Sequence, residues 1–247
     1  MEKRMPLSGN TLKILAAIFM TVDHIGLLFF PNEIIFRIIG RLAFPIFAFM
    51  IAEGARYTRH RLKYFLSVFI LGLICQIVYF VTSESLYMCI LITFSLSLLI
   101  LFSFKDLKAA IFVEEKDPKR IAKASLLFAL SIALAYVGCE FLEIDYGFAG
   151  IMAPLFASVF DFHGIDAPKA LKSLDKAPLR VLCFAIGILM HAVTSGIAIQ
   201  FYALLAIIPL ILYSGKRGKY NMKYFFYIFY PLHLVLLYGI LLLTFII

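Results

Sequence analysis

Stretches of about twenty apolar residues recur from one end of this chain to the other, and they constrain it more than any other feature. A bilayer core about 30 Å thick takes about 20 apolar residues to cross as a helix. Inside it every backbone N–H and C=O must find a partner within the protein, which a helix supplies from its own turns. The candidate spans run over roughly 11–30, 34–54, 62–82, 86–104, 122–139, 145–160, 179–195, 197–213 and 223–246. The sixth is short and holds Pro154, so it is read as tilted, extended by its neighbours or re-entrant. Ser195 and Gly196 leave so little chain between the seventh and eighth that these two form an antiparallel hairpin. Pro45, Pro209 and Pro231 fall inside spans, where kinks are tolerated if neighbours satisfy the freed carbonyls. The fold class is all-α: a polytopic bundle of about nine transmembrane helices, one membrane domain over 1–247. Composition closes off a soluble alternative, because 15% of the residues are charged against about 25% in a soluble domain.

The basic residues assign the sides. Lys3, Arg4 and Lys13 precede or open the first span, and Arg56, Arg59, Arg61 and Lys63 join the second to the third. Further clusters fall at 105–123, 169–180 and 216–223, while Pro31-Asn32-Glu33, residues 82–85 and residues 140–145 carry none. All but two of the 23 Lys and Arg thus lie on one face, which the positive-inside rule makes cytosolic. The N-terminus is then cytosolic and the C-terminus outside. The net charge of +8 is a topology signal, with some attraction to anionic lipid heads, and implies no nucleic-acid partner. The first apolar run carries Asp23 and His24 and lacks a small-residue cleavage site, so it reads as a retained helix. The four cysteines stand singly, with no metal spacing, and read as small buried hydrophobes.

The two basic exceptions, Arg37 and Arg41, fall early in the second span. A charge at mid-bilayer costs about 2.5–3.5 kcal/mol on insertion scales, so it faces a bundle interior or a wet cavity. Spaced i,i+4, the two share one helix face. The first two spans are joined by about three residues, and counting from Pro31 brings Asp23, His24, Arg37 and Arg41 to similar depths in the outer half of the membrane. Asp23 and the arginines could form an ion pair that only pins the hairpin. His24 could be a helix–helix hydrogen-bonding group or a general base, since an imidazole takes and returns a proton near neutral pH. Lys13, eleven residues before it, lies on the same helix face about 16 Å away along the axis. That arrangement suits a long anionic donor, though a lysine at a helix mouth is also ordinary snorkelling. Gln76, His191 and His233 are further polar groups within spans. Glu53 lies near the cytosolic end of the second span, where loop basics can pair with it. Asp145, with Tyr146 and Gly147, opens the sixth span at the outer face, where an acid also suits the helix dipole. No P-loop, Gly-rich phosphate loop or HExxH is present, and no metal site is expected.

LKILAAIFMTVDHIG (12–26), IIGRLAFPIFAFMIAEG (38–54), IDYGFAG (144–150) and KYFFYIFYPLHLVLLY (223–238) together resemble the TraX family. That family takes its name from the conjugation protein that acetylates the N-terminus of F-type pilin. It is similar in turn to the larger group of membrane acyltransferases, in which a basic residue, ten residues and a histidine occupy the first helix; Lys13 and His24 match this pattern. The resemblance implies a multi-pass protein of the bacterial plasma membrane that takes an acetyl or similar acyl group from cytosolic acyl-CoA. Acetyl-CoA would be a donor substrate, with no bound cofactor. The acceptor would be an amine or hydroxyl on a protein N-terminus or an envelope glycan. His24 would be catalytic, with Asp23, Asp145 or His233 tuning it. Arg37 and Arg41 would stabilise an oxyanion or bind an anionic acceptor, Lys13 would meet the donor phosphates, and Tyr146 and Glu53 would complete the substrate-binding set. Two other classes stay open: a transporter or lipid exporter using the buried Arg, Asp and His groups, and a non-enzymatic assembly subunit.

Overall fold

A computed structural model describes residues 6–83, 86–220 and 222–246. Helix α1 (Gly9–Phe29) starts where the Ser8 hydroxyl accepts the Thr11 N–H, satisfying one of the amides that a helix start leaves free. After Pro31 the chain returns as α2 (Ile34–Gly40) and α3 (Ala43–Tyr57). These two continue one span, Ile34–Tyr57, broken at Arg41-Leu42. Pro45 accounts for the break, because it has no N–H to offer the carbonyl four residues back, that of Arg41. Helix α4 (Arg61–Ser83), α5 (Ile90–Ile111) and α6 (Pro118–Phe141) follow, the last capped by the Asp117 side chain on the Lys119 N–H. Then come α7 (Gly147–Ser158), the four-residue α8 (Lys169–Lys172) and α9 (Ala177–Thr194). A 3₁₀ helix (Ala198–Ala206), α10 (Ile207–Ile211) and α11 (Lys223–Ile246) complete the chain.

Seven of these helical stretches among the described residues are long and apolar enough to cross a membrane. The sixth and eighth expected spans are shorter. Helix α7 has 12 residues, about 18 Å of rise. It cannot start earlier because Tyr146 is left-handed, with φ +63°. The eighth expected span begins as nine residues of 3₁₀ helix. Its rise of about 2.0 Å per residue exceeds that of an α-helix and stretches a short segment across more of the bilayer. Gly196, at φ +66°, makes the turn between α9 and the 3₁₀ helix. The fourth expected span is α5, Ile90–Ile111, displaced toward the basic loops from the expected 86–104.

Half of the α2–α3 and α5 windows is buried, against 17% for α4 and α11 and 11% for α6. The bundle therefore has an inner layer, in which Phe49 of α3, Leu98 of α5, Phe184 of α9 and Ala206 of the 3₁₀ helix share one core. Around it lies an outer layer with apolar side chains directed to lipid. On the side that carries the basic loops, Arg56 reaches Asp161 (2.5 Å) and Asp175 (2.7 Å), and Lys108 donates to the carbonyls of Ser158 and Asp161. Arg180 pairs with Glu53. These contacts fasten the connection between α7 and α9 beneath α3 and α5.

Candidate functional site

The opposite half of the bundle holds Asp23, His24, Arg37 and Arg41. Helices α1 and α2 approach closely because two glycines leave room: a Cβ at Gly26 would collide with the Phe36 side chain, and one at Gly40 with Asp23. The close approach carries the Asp23 carboxylate to Nη1 of Arg37 (2.7 Å) and Nη2 of Arg41 (3.2 Å). Arg41 also donates from Nε to the Arg37 carbonyl. Two guanidiniums on one carboxylate leave this immediate cluster with one positive charge in excess.

Next to Asp23, His24 meets α11. Its Nδ1 lies 3.0 Å from Nε2 of His233, whose Nδ1 lies 3.1 Å from the Phe229 carbonyl. A carbonyl oxygen only accepts, so His233 carries its proton on Nδ1 and presents a lone pair at Nε2. His24 must then donate from Nδ1. In the neutral imidazole this leaves its own Nε2 with a free lone pair. The chain from Phe229 to His24 thus sets the tautomer that a proton acceptor needs.

Asp145 is placed by backbone pairing. Met88 donates its N–H to Glu143 and accepts that of Asp145, a single bridge between the α4–α5 and α6–α7 connections. This register sets the Tyr87 hydroxyl 2.6 Å from Asp145 Oδ1, while Thr93 donates to the Asp145 carbonyl. Tyr146 lies face to face with Phe44 at 3.9 Å, and His191 of α9 packs obliquely against both rings. Tyr146 is the one non-glycine residue with positive φ among those described. That conformation costs an L-residue about 1–2 kcal/mol, here held by the stack.

Asp23, His24, Arg37, Arg41, Asp145, Tyr146 and His191 border one cavity of about 770 Å³. Lys13 and Glu53 do not join them. They border a second cavity, of about 740 Å³, with His60, Lys63 and Arg217 on the basic side. Glu53 is 5% exposed and held by Arg180. Phe47, Ile90 and Tyr230 belong to the walls of both cavities, which therefore abut. Sequence reasoning passed over Tyr87 and Gln200. Gln200 was visible as a polar residue inside an apolar run, whereas Tyr87 lies in a connection and needs the Met88 bridge to be placed. Among the described residues no group of three or more His, Cys, Asp or Glu side chains is arranged to hold a metal ion.

The described residues form an all-helical membrane bundle with charged and imidazole side chains gathered on one cavity. The family profile described as TraX protein matches residues 8–241. The chain belongs to the TraX family. It is 28% identical to the probable fimbrial assembly protein FimC, serogroup H1, of Dichelobacter nodosus, covering 96% of this chain and 97% of that protein. A 40-residue stretch, 16% of either chain, is 58% identical to the uncharacterized protein RP591 of Rickettsia prowazekii (strain Madrid E). No solved structure matches the chain.

Proposed function

We propose that this protein is an acyltransferase of the bacterial plasma membrane, moving an acetyl or similar acyl group from cytosolic acyl-CoA to an acceptor amine or hydroxyl. The observation that carries the reading is the tautomer of His24, whose free Nε2 belongs to a side chain on the wall of a cavity that also presents Arg37 and Arg41. With the basic loops in the cytosol, the second cavity opens toward the donor. Lys13, Lys63 and Arg217 there suit the phosphates of acetyl-CoA, and its thioester end would pass Phe47, Ile90 and Tyr230 to reach His24.

The acceptor nitrogen or oxygen attacks the thioester carbonyl carbon and gives its proton to His24 Nε2. The imidazolium that forms is stabilised through its Nδ1–H by the lone pair of His233. Negative charge develops on the carbonyl oxygen and is met by the excess charge of the arginine cluster, which Asp23 holds in place beforehand. Collapse breaks the C–S bond, and the departing thiolate takes the proton from His24. The products are an acylated acceptor and free CoA. The name of the Dichelobacter relative, a fimbrial assembly protein, favours a protein N-terminus such as that of a pilus subunit as acceptor, with an envelope glycan as the alternative.

Labelled acetyl-CoA supplied to proteoliposomes, with envelope proteins and glycans recovered and analysed by mass spectrometry, tests the reading. Transfer should fall about 10²–10⁴-fold in His24→Ala. Undiminished transfer in that variant overturns the role of His24. Accumulation of a solute in vesicles lacking acyl-CoA would favour a transporter instead.

A further inference from the structure

Acyl transfer to an amine involves one proton more than His24 handles. At neutral pH an alkylamine is an ammonium, with no lone pair to attack a carbonyl. It sheds one proton before attack and a second as the amide forms. His24 Nε2 takes the second and returns it to the departing thiolate, so the imidazole ends the cycle neutral. The first proton leaves the reacting groups altogether. A hydroxyl acceptor, being uncharged, has no such proton. An amine acceptor therefore calls for a second base on the same cavity.

Two carboxylates border that cavity, Asp23 and Asp145. Asp23 is already held by Arg37 and Arg41. Asp145 forms no ion pair among the described residues, and its Oδ1 accepts the Tyr87 hydroxyl at 2.6 Å. Its side chain is half-buried and so keeps some open surface. It is not the partner of His24 either, whose Nδ1 is engaged by His233. The rings of Phe44, Phe47, Tyr146 and Tyr230 border the same space, and aromatic faces attract a cation. A carboxylate in that company suits an alkylammonium.

The charge balance of the wall gives an independent argument. Arg37 and Arg41 bring two positive charges, Asp23 and Asp145 two negative ones, so with neutral imidazoles the four cancel. A proton passed from the ammonium to Asp145 removes one negative charge. The arginine cluster then faces the developing oxyanion with its excess charge uncancelled, where a low dielectric magnifies the difference. We propose that Asp145, positioned by Tyr87, is the group that receives an acceptor ammonium and takes its first proton. The ammonium and the carboxylate become a free amine and a carboxylic acid. The amine attacks the thioester carbon with His24 as the second base, and Asp145 releases its proton to water after the product leaves, one proton for each amide formed. The catalytic role of Asp145 rests on the acyl-transfer reading; cation binding beside it does not.

The test uses the full chain in proteoliposomes and three probes of matched shape. Benzylamine is an ammonium at neutral pH, benzohydrazide is a nitrogen nucleophile that is uncharged there, and benzyltrimethylammonium is a cation with no proton to give. Asp145→Asn should lower kcat/KM for benzylamine about 10²-fold and leave that for benzohydrazide within about twofold. Tyr87→Phe should act in the same direction by about tenfold, the worth of one hydrogen bond to a charged group. Benzyltrimethylammonium should compete with benzylamine in the parent and bind Asp145→Asn about tenfold more weakly or worse. Turnover of the hydrazide shows that a variant is folded. Equal losses for amine and hydrazide overturn the assignment, and so does an undiminished amine rate in Asp145→Asn. If the parent acylates neither probe, equilibrium binding of labelled benzyltrimethylammonium decides: binding weakened by Asp145→Asn upholds the cation site, and no binding to the parent overturns it. The acyl-transfer reading itself stands or falls separately, on His24→Ala with envelope proteins and glycans.

Discussion

His24 and His233 stand 209 residues apart in sequence and 3.0 Å apart in space, joined from Nδ1 of the first to Nε2 of the second. The direction of that bond follows from the Phe229 carbonyl on the far side of His233, which makes the last helix of the chain responsible for the protonation pattern of the first.

His233→Leu should therefore impair transfer without touching any substrate. It removes the acceptor for the His24 Nδ1–H, so the imidazole is free to rotate and to place its proton on Nε2, the wrong nitrogen for a base. Transfer should drop about 10²-fold, within the range of general-base effects. His233→Gln, whose amide oxygen can still accept, should retain most of the rate. Steady-state kcat in proteoliposomes measures both, and ¹⁵N shifts of labelled His24 report the tautomer directly. Equal loss in the two variants would point to packing, not to the bond.

Asp23→Asn tests the charge balance of the same corner. The Arg41 side chain is 9% exposed, and removing the carboxylate leaves it facing Arg37 with no anion between them. Breaking a buried pair by deleting one partner costs about 3–5 kcal/mol, so the melting temperature in detergent should fall sharply. Arg37→Gln should cost less, because Arg41 keeps its hold on Asp23. Combining Arg37→Gln with Asp23→Asn should recover part of the loss, as expected for residues in one network.

The hairpin of α1 and α2 was legible because a three-residue connection forces two adjacent helices to face each other, and i,i+4 spacing forces the two arginines onto one face. Asp23 could hardly avoid them. The His24–His233 pair was not legible from spacing or depth, since contact between first and last helices depends on how every intervening helix packs; the spans showed both histidines but did not bring them together. Hydropathy also located the eighth span while missing its 3₁₀ winding, because a hydropathy window measures apolar length and not residues per turn. The break at Arg41 was written in Pro45. Tyr146 was expected to open its helix and stands as the N-cap of α7, but its left-handed backbone had no signal beyond the Gly147 that follows.

That backbone makes an unusual order of stabilities at position 146. Truncating an aromatic ring to Ala costs about 3–5 kcal/mol where the ring is fully buried and less at the half-buried Tyr146, and Tyr146→Ala would also keep the strain of φ +63°. Tyr146→Gly loses the same stack on Phe44 but relieves the strain. Glycine should thus be the milder change by about 1 kcal/mol, the reverse of the order expected inside a helix. Tyr146→Phe keeps both ring and strain, and should melt within about 0.5 kcal/mol of the parent. Thermal unfolding of the three variants under one detergent condition checks the ranking.

The two cavities share Ile90, the first residue of α5, and that position tests whether the donor passes between them. Ile90→Trp adds bulk at the junction while leaving Lys13 on one side and His24 on the other in place. If the thioester end reaches His24 by this route, kcat/KM for acetyl-CoA should fall about tenfold or more, equivalent to about 1.4 kcal/mol in the barrier. Peptide binding at the far cavity should be little changed. Phe47→Ala opens the same junction and should do the opposite for bulk: butyryl-CoA, a poor donor for the parent if the passage is narrow, should gain on acetyl-CoA. Side-by-side kcat/KM values for the two donors in the two variants measure this. A tryptophan at 90 that slows neither donor would mean that acyl-CoA reaches His24 without crossing the wall that Phe47, Ile90 and Tyr230 build.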